Sequence, residues 1–451
     1  MKLQSNATRI TARAVTSATL LYCSLAAAQT SAPTFPDAKQ SDPQANAVMQ
    51  GFPPPPDKTA RFSDGSASKF PAYRWSFSHL RELMPSAEVS RGEGPIAMLP
   101  REERDLGSVK LTTMDGASMT FDEALQKTYA DGIVVLHKGK IVYERYFGAG
   151  APLRPHAGFS LTKSFVGTLA SMLVSEGKLD PSAPVIKYVP ELKSSAYGDV
   201  TVRQAMDMLV NAKYSENYAD PNAEIWNYSR AGGWIPTRPD YTGPRTYYDF
   251  LVTLQKQGEP GEIFAYNTVT AEVVAWIVQR ATGQRLADLL SEKIWSKIGA
   301  EKDAYFVVDS IGTASGGGGF NMTLRDLARF GETMRNKGQF NGQQIIPTPV
   351  VEDMTKGGDK QIFATGGYKT LPGWSYRAFW WVTNNDHGAY MGRGIYGQAL
   401  YVDPKAEMVI ARFASHAIAG NPYNDPISLP AYAAVADELM RSTEAGDRNP
   451  K

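Results

Sequence analysis

The chain has 451 residues, with 47 Lys and Arg against 46 Asp and Glu, a formal net charge of +1, five His and one Cys. A balanced charge gives no electrostatic reason to expect a nucleic-acid partner, and one Cys excludes a disulfide scaffold and leaves no obvious zinc, haem or iron–sulfur ligand set. Hydrophobics at 43% and charged residues at 21% are ordinary for a folded chain long enough for one large domain or two moderate ones.

Residues 1–28 carry Lys2, Arg9 and Arg13 without an acid, then a short apolar stretch broken by Thr and Ser, and end in Ala26-Ala27-Ala28. A charged start, a short apolar middle and small residues at the end describe a cleavable signal peptide, not a transmembrane anchor. Cleavage after Ala28 would also remove Cys23. The mature protein is then expected to be thiol-free, without a membrane anchor, and periplasmic or secreted.

Residues 29–104 are rich in Pro, Ser, Ala and Asp, with Pro53 to Pro56 unbroken, which reads as an extended arm. Its aromatic patch Tyr73-Arg-Trp75-Ser-Phe77 points to an arm packed on the body. The main domain is expected over 105–445. Within it, residues 131–147 hold two β-rich runs around Lys138-Gly139-Lys140, a hairpin pattern. From Ser160, the apolar residues Phe165, Val166, Leu169, Met172 and Leu173 recur at helical spacing up to Gly177. Residues from about 180 to 315 read as a mostly helical insert, with helices over 202–209 and 269–281. Thr323-Leu-Arg-Asp326 is a capping pattern for another helix. Strand patterns return at 375–383, 397–402 and 408–413, before a last helix from about 430 to 440. The fold class is α+β, an antiparallel sheet flanked by helices with a helical insert.

The histidines are scattered, no His-Glu-x-x-His helix exists, and the Gly-x-Ser-x-Gly elbow is absent. No metal or cofactor is expected. The Gly316–Gly319 run lacks a following Lys-Ser/Thr and reads as a flexible turn. Ser-x-x-Lys occurs three times, at Ser66, Ser160 and Ser175, but only Ser160 opens a strongly apolar helix just after a hairpin. There, positions i and i+3 share a helix face, so the Lys163 amine can reach the Ser160 hydroxyl. The helix N-terminus offers a free backbone N–H to an oxyanion. Serine is a poor nucleophile without a neighbouring base. A lysine buried among apolar residues either loses its proton or stays charged and acidifies a phenol. The plain alternative is an N-cap serine beside a structural lysine.

Tyr266-Asn267-Thr268 follows about 100 residues later, before an amphipathic helix. This order, Ser-x-x-Lys and then Tyr-x-Asn/Ser, resembles the serine β-lactamase and penicillin-binding-protein superfamily. Among its members the chain is most similar to the class C-like hydrolases, the 6-aminohexanoate-dimer hydrolases and related carboxylesterases. Met49-Gln-Gly-Phe-Pro-Pro, Arg74-Trp-Ser-Phe, Phe159-Ser-Leu-Thr-Lys163-Ser-Phe, Glu216-Asn-Tyr218-Ala-Asp-Pro and Gly394-Ile-Tyr-Gly-Gln398 carry the resemblance over most of residues 50–440.

The resemblance implies a β-lactamase/transpeptidase-like fold and a serine hydrolase. Ser160 would be the nucleophile, and Lys163 and Tyr266 the coupled acid–base pair. An acyl-enzyme ester would form and then be hydrolysed by water. Gly392-Arg393-Gly394 stands at the family's Lys-Thr-Gly position, which gives an oxyanion hole from the backbone N–H groups of Ser160 and Ile395 and places Gly394 among the substrate-binding residues. Tyr218 resembles the family's lid tyrosine and Trp234 a mobile tryptophan of the same pocket, though both also read as loop aromatics packing locally.

The departures bear on substrate. Lys-Thr-Gly itself and a Glu-x-x-Leu-Asn loop are missing, Thr268 replaces a class C Asn, and Ser229 stands where amide-oligomer hydrolases can carry an acid. The expected substrate is a small linear amide or a short carboxylic ester. The alternatives are a D-Ala-D-Ala carboxypeptidase or β-lactamase and, in another class, an inactive penicillin-recognition fold used for binding.

Overall fold

The computed structural model describes residues 35–447, so the signal peptide expected over 1–28 lies outside the described residues. The segment that departs most from its sequence pattern is the Pro-rich one. Instead of an extended arm, residues 36–104 contain helical turns at Tyr73–Ser76 (α1) and Leu80–Leu83 (α2) and a strand at Ser86–Val89 (β1). Tyr73, Phe77, Leu80 and Met84 recur at helical spacing and are all buried. Burying that apolar face outweighs the local preference of a Pro-rich chain for an open backbone. Arg74, 1% exposed, fixes the segment from within. It donates to Ser415 Oγ, the Ala38 carbonyl and Ser41 Oγ, and it pairs with Asp131 at 3.5 Å.

The predicted hairpin forms between Ala130–His137 (β2) and Lys140–Tyr146 (β3). Lys138 and Gly139 both take positive φ, as a two-residue turn between twisted strands requires. A short strand at His156–Ala157 (β4) then leads to the helix Leu161–Ser175 (α3). The insert holds helices at Val202–Met206, Ile225–Ala231, Tyr247–Leu251, Thr268–Thr282 (α4) and Leu286–Leu290. The expected helix at 202–209 stops at Met206. The insert also contains a strand, Ala304–Val307 (β5), that its polar loops did not suggest.

Phe320–Met322 (β6) precedes the helix Leu324–Arg335 (α5), whose cap Thr323 accepts from the Asp326 N–H as the sequence pattern predicts. The late strands are Ser375–Arg377 (β7), Trp380–Val382 (β8), Tyr390–Gly394 (β9), Gln398–Asp403 (β10) and Met408–Ala414 (β11), followed by the helix Asp425–Asp447 (α6). They complete a seven-stranded antiparallel sheet in the order β7-β8-β9-β10-β11-β2-β3. A second sheet runs β1-β5-β6-β4, so the N-terminal segment supplies one of its edges.

Helix α3 is the hub. Every residue from Leu161 to Leu173 is buried, because α4 packs on one side and strands β8 and β9 on another. Burying Phe165, Val166, Leu169 and Leu173 contributes roughly 1.5–3 kcal/mol each. Two of its hydroxyls are paired, Ser164 donating to the Phe379 carbonyl and Thr168 to the Ser164 carbonyl, while Ser171 Oγ is buried without a partner among the described residues. At Gly167 a side chain would come within 2.0 Å of the Ala378 carbonyl, so glycine sets how closely the helix meets the sheet. Among the described residues, no helix is long and apolar enough to cross a membrane.

Candidate active site

Ser160 stands at the N-cap of α3 with φ −65° and makes no side-chain cap hydrogen bond. Its hydroxyl instead accepts from Lys163 Nζ at 2.8 Å. The hydroxyl is therefore directed to the Lys163 amine and not to the backbone of the first helical turn. The same amine donates to Thr268 Oγ1 at 3.0 Å and to the Gly317 carbonyl at 2.6 Å. Burial pushes the Lys163 pKa down to about 8, against the opposing pull of Glu216 and Glu272. A neutral lysine keeps two N–H donors, which suffice for Thr268 and Gly317, and turns its lone pair to the Ser160 hydroxyl.

Tyr266 lies on the other side of the amine, its ring centroid 5.1 Å from Lys163 Nζ. Burial raises its pKa above that of an ordinary phenol, and a side-chain hydrogen bond with Ser160 works against the rise. The two shifts point in one direction: the lysine gives up its proton more readily than a free amine, while the phenol keeps its own. Above about pH 8 the neutral lysine predominates, which makes it the proton acceptor of the pair there.

Two acids near Lys163, and the role of the glycine run beside it, escaped sequence reasoning. Glu216 accepts the Thr268 N–H, and burial raises its pKa. Glu272 accepts from Tyr228 Oη at 2.6 Å, Ser315 Oγ at 2.9 Å, and the Gly316 and Gly317 N–H groups. The Gly316–Gly319 run is therefore no flexible turn. A side chain at Gly316 would meet Ala275 at 2.4 Å, and one at Gly317 would meet Thr268 at 2.5 Å, so these glycines let the loop touch α4. The only sequence signal for this role was the run itself, beside an acid placed inside an apolar helix.

Strand β9 passes close to Ser160. A side chain at Gly394 would come within 2.5 Å of the Gly158 carbonyl, and one at Gly392 within 2.8 Å of Ser164 Oγ. Gly394 thus sets the approach of β9 and is not among the residues lining the pocket. Phe159 and Tyr396, next to Ser160 and Ile395, hold φ of 45° and 64°, a left-handed backbone that costs free energy in non-glycine residues. Their rings pack at 5.4 Å from each other, and both pack on Phe77, the residue after α1, at 4.7 and 4.9 Å. The N-terminal segment clamps the two strained residues that flank the expected oxyanion hole.

A cavity of about 170 Å³ opens beside Ser160, lined among others by Ile395, Tyr218, Trp234, Thr268 and Gly317. Trp234 donates from Nε1 to Tyr247 Oη at 2.8 Å, and Tyr218 packs edge-on against Trp226. Both aromatics therefore pack locally and face the pocket as well. Among the described residues, no cluster of three or more His, Cys, Asp or Glu side chains is arranged to hold a metal ion.

The Beta-lactamase family model matches residues 120–426, well over half of the chain and all of this constellation. The chain belongs to the beta-lactamase family. As a beta-lactamase family member it is a serine hydrolase. It is 36% identical over 346 residues to the 6-aminohexanoate-dimer hydrolase of Paenarthrobacter ureafaciens, covering 76% of this chain and 86% of that relative. A Bacillus anthracis structure described as a 6-aminohexanoate-dimer hydrolase superposes with a TM-score of 0.79 at 33% identity, over 86% of this chain and 99% of the other. The octameric penicillin-binding protein homologue from Pyrococcus abyssi shares the fold at a TM-score of 0.52 and 18% identity, over 69% of this chain and 75% of the other. The beta-lactamase/transpeptidase-like α+β fold is thus the one the motifs implied.

Proposed function

We propose that this protein is an exported hydrolase that cleaves a linear amide of the 6-aminohexanoate-dimer type, or a short carboxylic ester, through an acyl-enzyme on Ser160. The observation that carries the reading is the 2.8 Å contact between Ser160 Oγ and a Lys163 amine whose pKa burial lowers to about 8.

In this reading, neutral Lys163 takes the Ser160 proton as Oγ attacks the substrate carbonyl carbon. The backbone N–H groups of Ser160 and Ile395 receive the developing oxyanion. The protonated Tyr266 hydroxyl delivers a proton to the departing amine or alcohol and is replenished from Lys163, which keeps the proton count balanced. Water then attacks the Ser160 ester with the same groups in reverse. Tyr218, on the pocket wall, is placed to close on substrate.

A β-lactamase or carboxypeptidase activity finds less support. Arg393, the cation nearest the Lys-Thr-Gly position, is spent on Asp425 and on the faces of Trp374 and Trp381. It is not presented to a substrate carboxylate. An inactive binding protein would have no use for the Ser160–Lys163–Tyr266 set.

The test is fluorophosphonate labelling with peptide mapping, followed by a panel of p-nitrophenyl acetate and butyrate, a 6-aminohexanoate dimer, nitrocefin and a D-Ala-D-Ala peptide. Labelling at Ser160 with ester or amide turnover is expected. Fast nitrocefin cleavage without either would overturn the substrate reading, and failure to label folded protein would overturn the mechanism. Export is checked by fractionation and N-terminal sequencing, with the mature chain expected to start after Ala28.

A further inference from the structure

Among the described residues, none that lines the cavity beside Ser160 carries a charged side chain. One wall comes from the N-terminal segment, where Phe62, Leu80, Leu83 and Met84 present apolar surface to the cavity. The polar atoms of the lining are largely spent inside the protein: Tyr228 Oη donates to Glu272, Ser229 Oγ to the Ile225 carbonyl, and Ser76 Oγ to the Ala72 carbonyl. The nearby ionisable groups are committed as well, Glu272 to its four donors, Glu216 to Thr268 and Arg393 to Asp425. An ammonium or carboxylate seated here would give up its hydration and meet no counter-ion.

From this we propose that the pocket selects an ester or amide whose half seated beside Ser160 is neutral and apolar, and that residues 62–84 form the specificity-determining wall. The inference rests on the hydrolase reading above and narrows it: the zwitterionic ends of an amino-acid dimer are not read inside this cavity. Water still cleaves the bond into an acid and an alcohol or amine, and only the group that enters the cavity is specified.

Two matched substrate series test this, because either half of the substrate can be the one that enters. The first is p-nitrophenyl hexanoate against its 6-ammonio and ω-carboxylate analogues. The second is hexyl acetate against the acetates of 6-aminohexanol and 6-hydroxyhexanoate. In one series, each charge is expected to lower kcat/KM by about tenfold or more. Leu83→Asp should restore the ammonium substrate relative to the neutral one, and the uncharged control Leu83→Asn should not. Phe62→Asp, also on the wall, provides the same readout should Leu83→Asp melt early.

Charged and neutral members turned over within about threefold of each other in both series would overturn the proposal, since discrimination is the whole of its content. Discrimination without recovery in a folded Asp variant would overturn the assignment of the wall. No turnover in either series together with no label on Ser160 would instead defeat the underlying hydrolase reading.

Discussion

Glu272 reaches Lys163 through a single residue: the Gly317 N–H donates to Glu272 Oε1 at 2.9 Å, and the Gly317 carbonyl accepts from Lys163 Nζ at 2.6 Å. The carboxylate thus sets the position of one of the amine's three acceptors, and its charge also draws the lysine pKa upward. Glu272→Gln keeps the shape and removes the charge. The acid limb of the kcat/KM–pH profile should then move to lower pH, a shift that simple loosening of the loop would not produce. An unmoved limb would leave Glu272 with a packing role only.

The pH dependence of the parent enzyme follows from the same lysine. Its pKa is lowered to about 8, so the neutral, proton-accepting form is scarce below that pH and predominates above it. The profile of kcat/KM should therefore rise with pH through an apparent pKa near 8 and level off above it. A profile flat from pH 6 to about 9 would take the proton-accepting role away from Lys163.

Tyr266→Phe removes the hydroxyl and leaves the ring to pack against Trp381 at 5.2 Å. Stability should change little, while kcat should fall by about 10²-fold or more, the usual contribution of a positioned acid–base group. A loss of less than about tenfold would exclude the hydroxyl from the proton path.

Gly394→Ala would bring a methyl within 2.5 Å of the Gly158 carbonyl, two residues before Ser160. The strand must then retreat, and the Ile395 N–H retreats with it. Losing one oxyanion donor typically costs about 10²–10³ in kcat. Circular dichroism on the same sample checks that the sheet is intact, and full activity in a folded variant would remove Ile395 from the oxyanion hole.

Arg74→Met leaves Asp131 buried without its guanidinium partner. Breaking a buried pair by removing one member costs about 3–5 kcal/mol, read from the midpoint of denaturant unfolding. Because Arg74 holds the segment that carries Phe77, activity should also fall under conditions where the variant is still folded. Unchanged kcat/KM in the folded variant would separate the clamp from catalysis.

What was legible in the sequence was local. Ser160 and Lys163 are three residues apart on one helix, the 138–139 turn lies between two β-rich runs, and Thr323 caps its own helix, so short-range chemistry determines each of them. Tyr266 and Thr268 stood out through the order of the motifs. The wall formed by residues 62–84 was hidden because composition describes a Pro-rich segment by its local backbone preference, whereas its fold is decided by where Tyr73, Phe77 and Arg74 find partners.

The sequence by itself singled out Ser160, Lys163 and the 131–147 hairpin, since those depend on spacing within one element or across one turn, whereas strand β9 beside Ser160 was not among its strand patterns. Tertiary structure alone decided that the Gly316–Gly319 run is pinned, that Glu272 stands behind Lys163, and that none of the described residues lining the pocket is charged. Each of these depends on contacts between residues far apart in the chain, Lys163 meeting Gly317 across 154 positions. A buried polar group must find a partner to offset its lost hydration, and only the packed fold decides which partner is within reach.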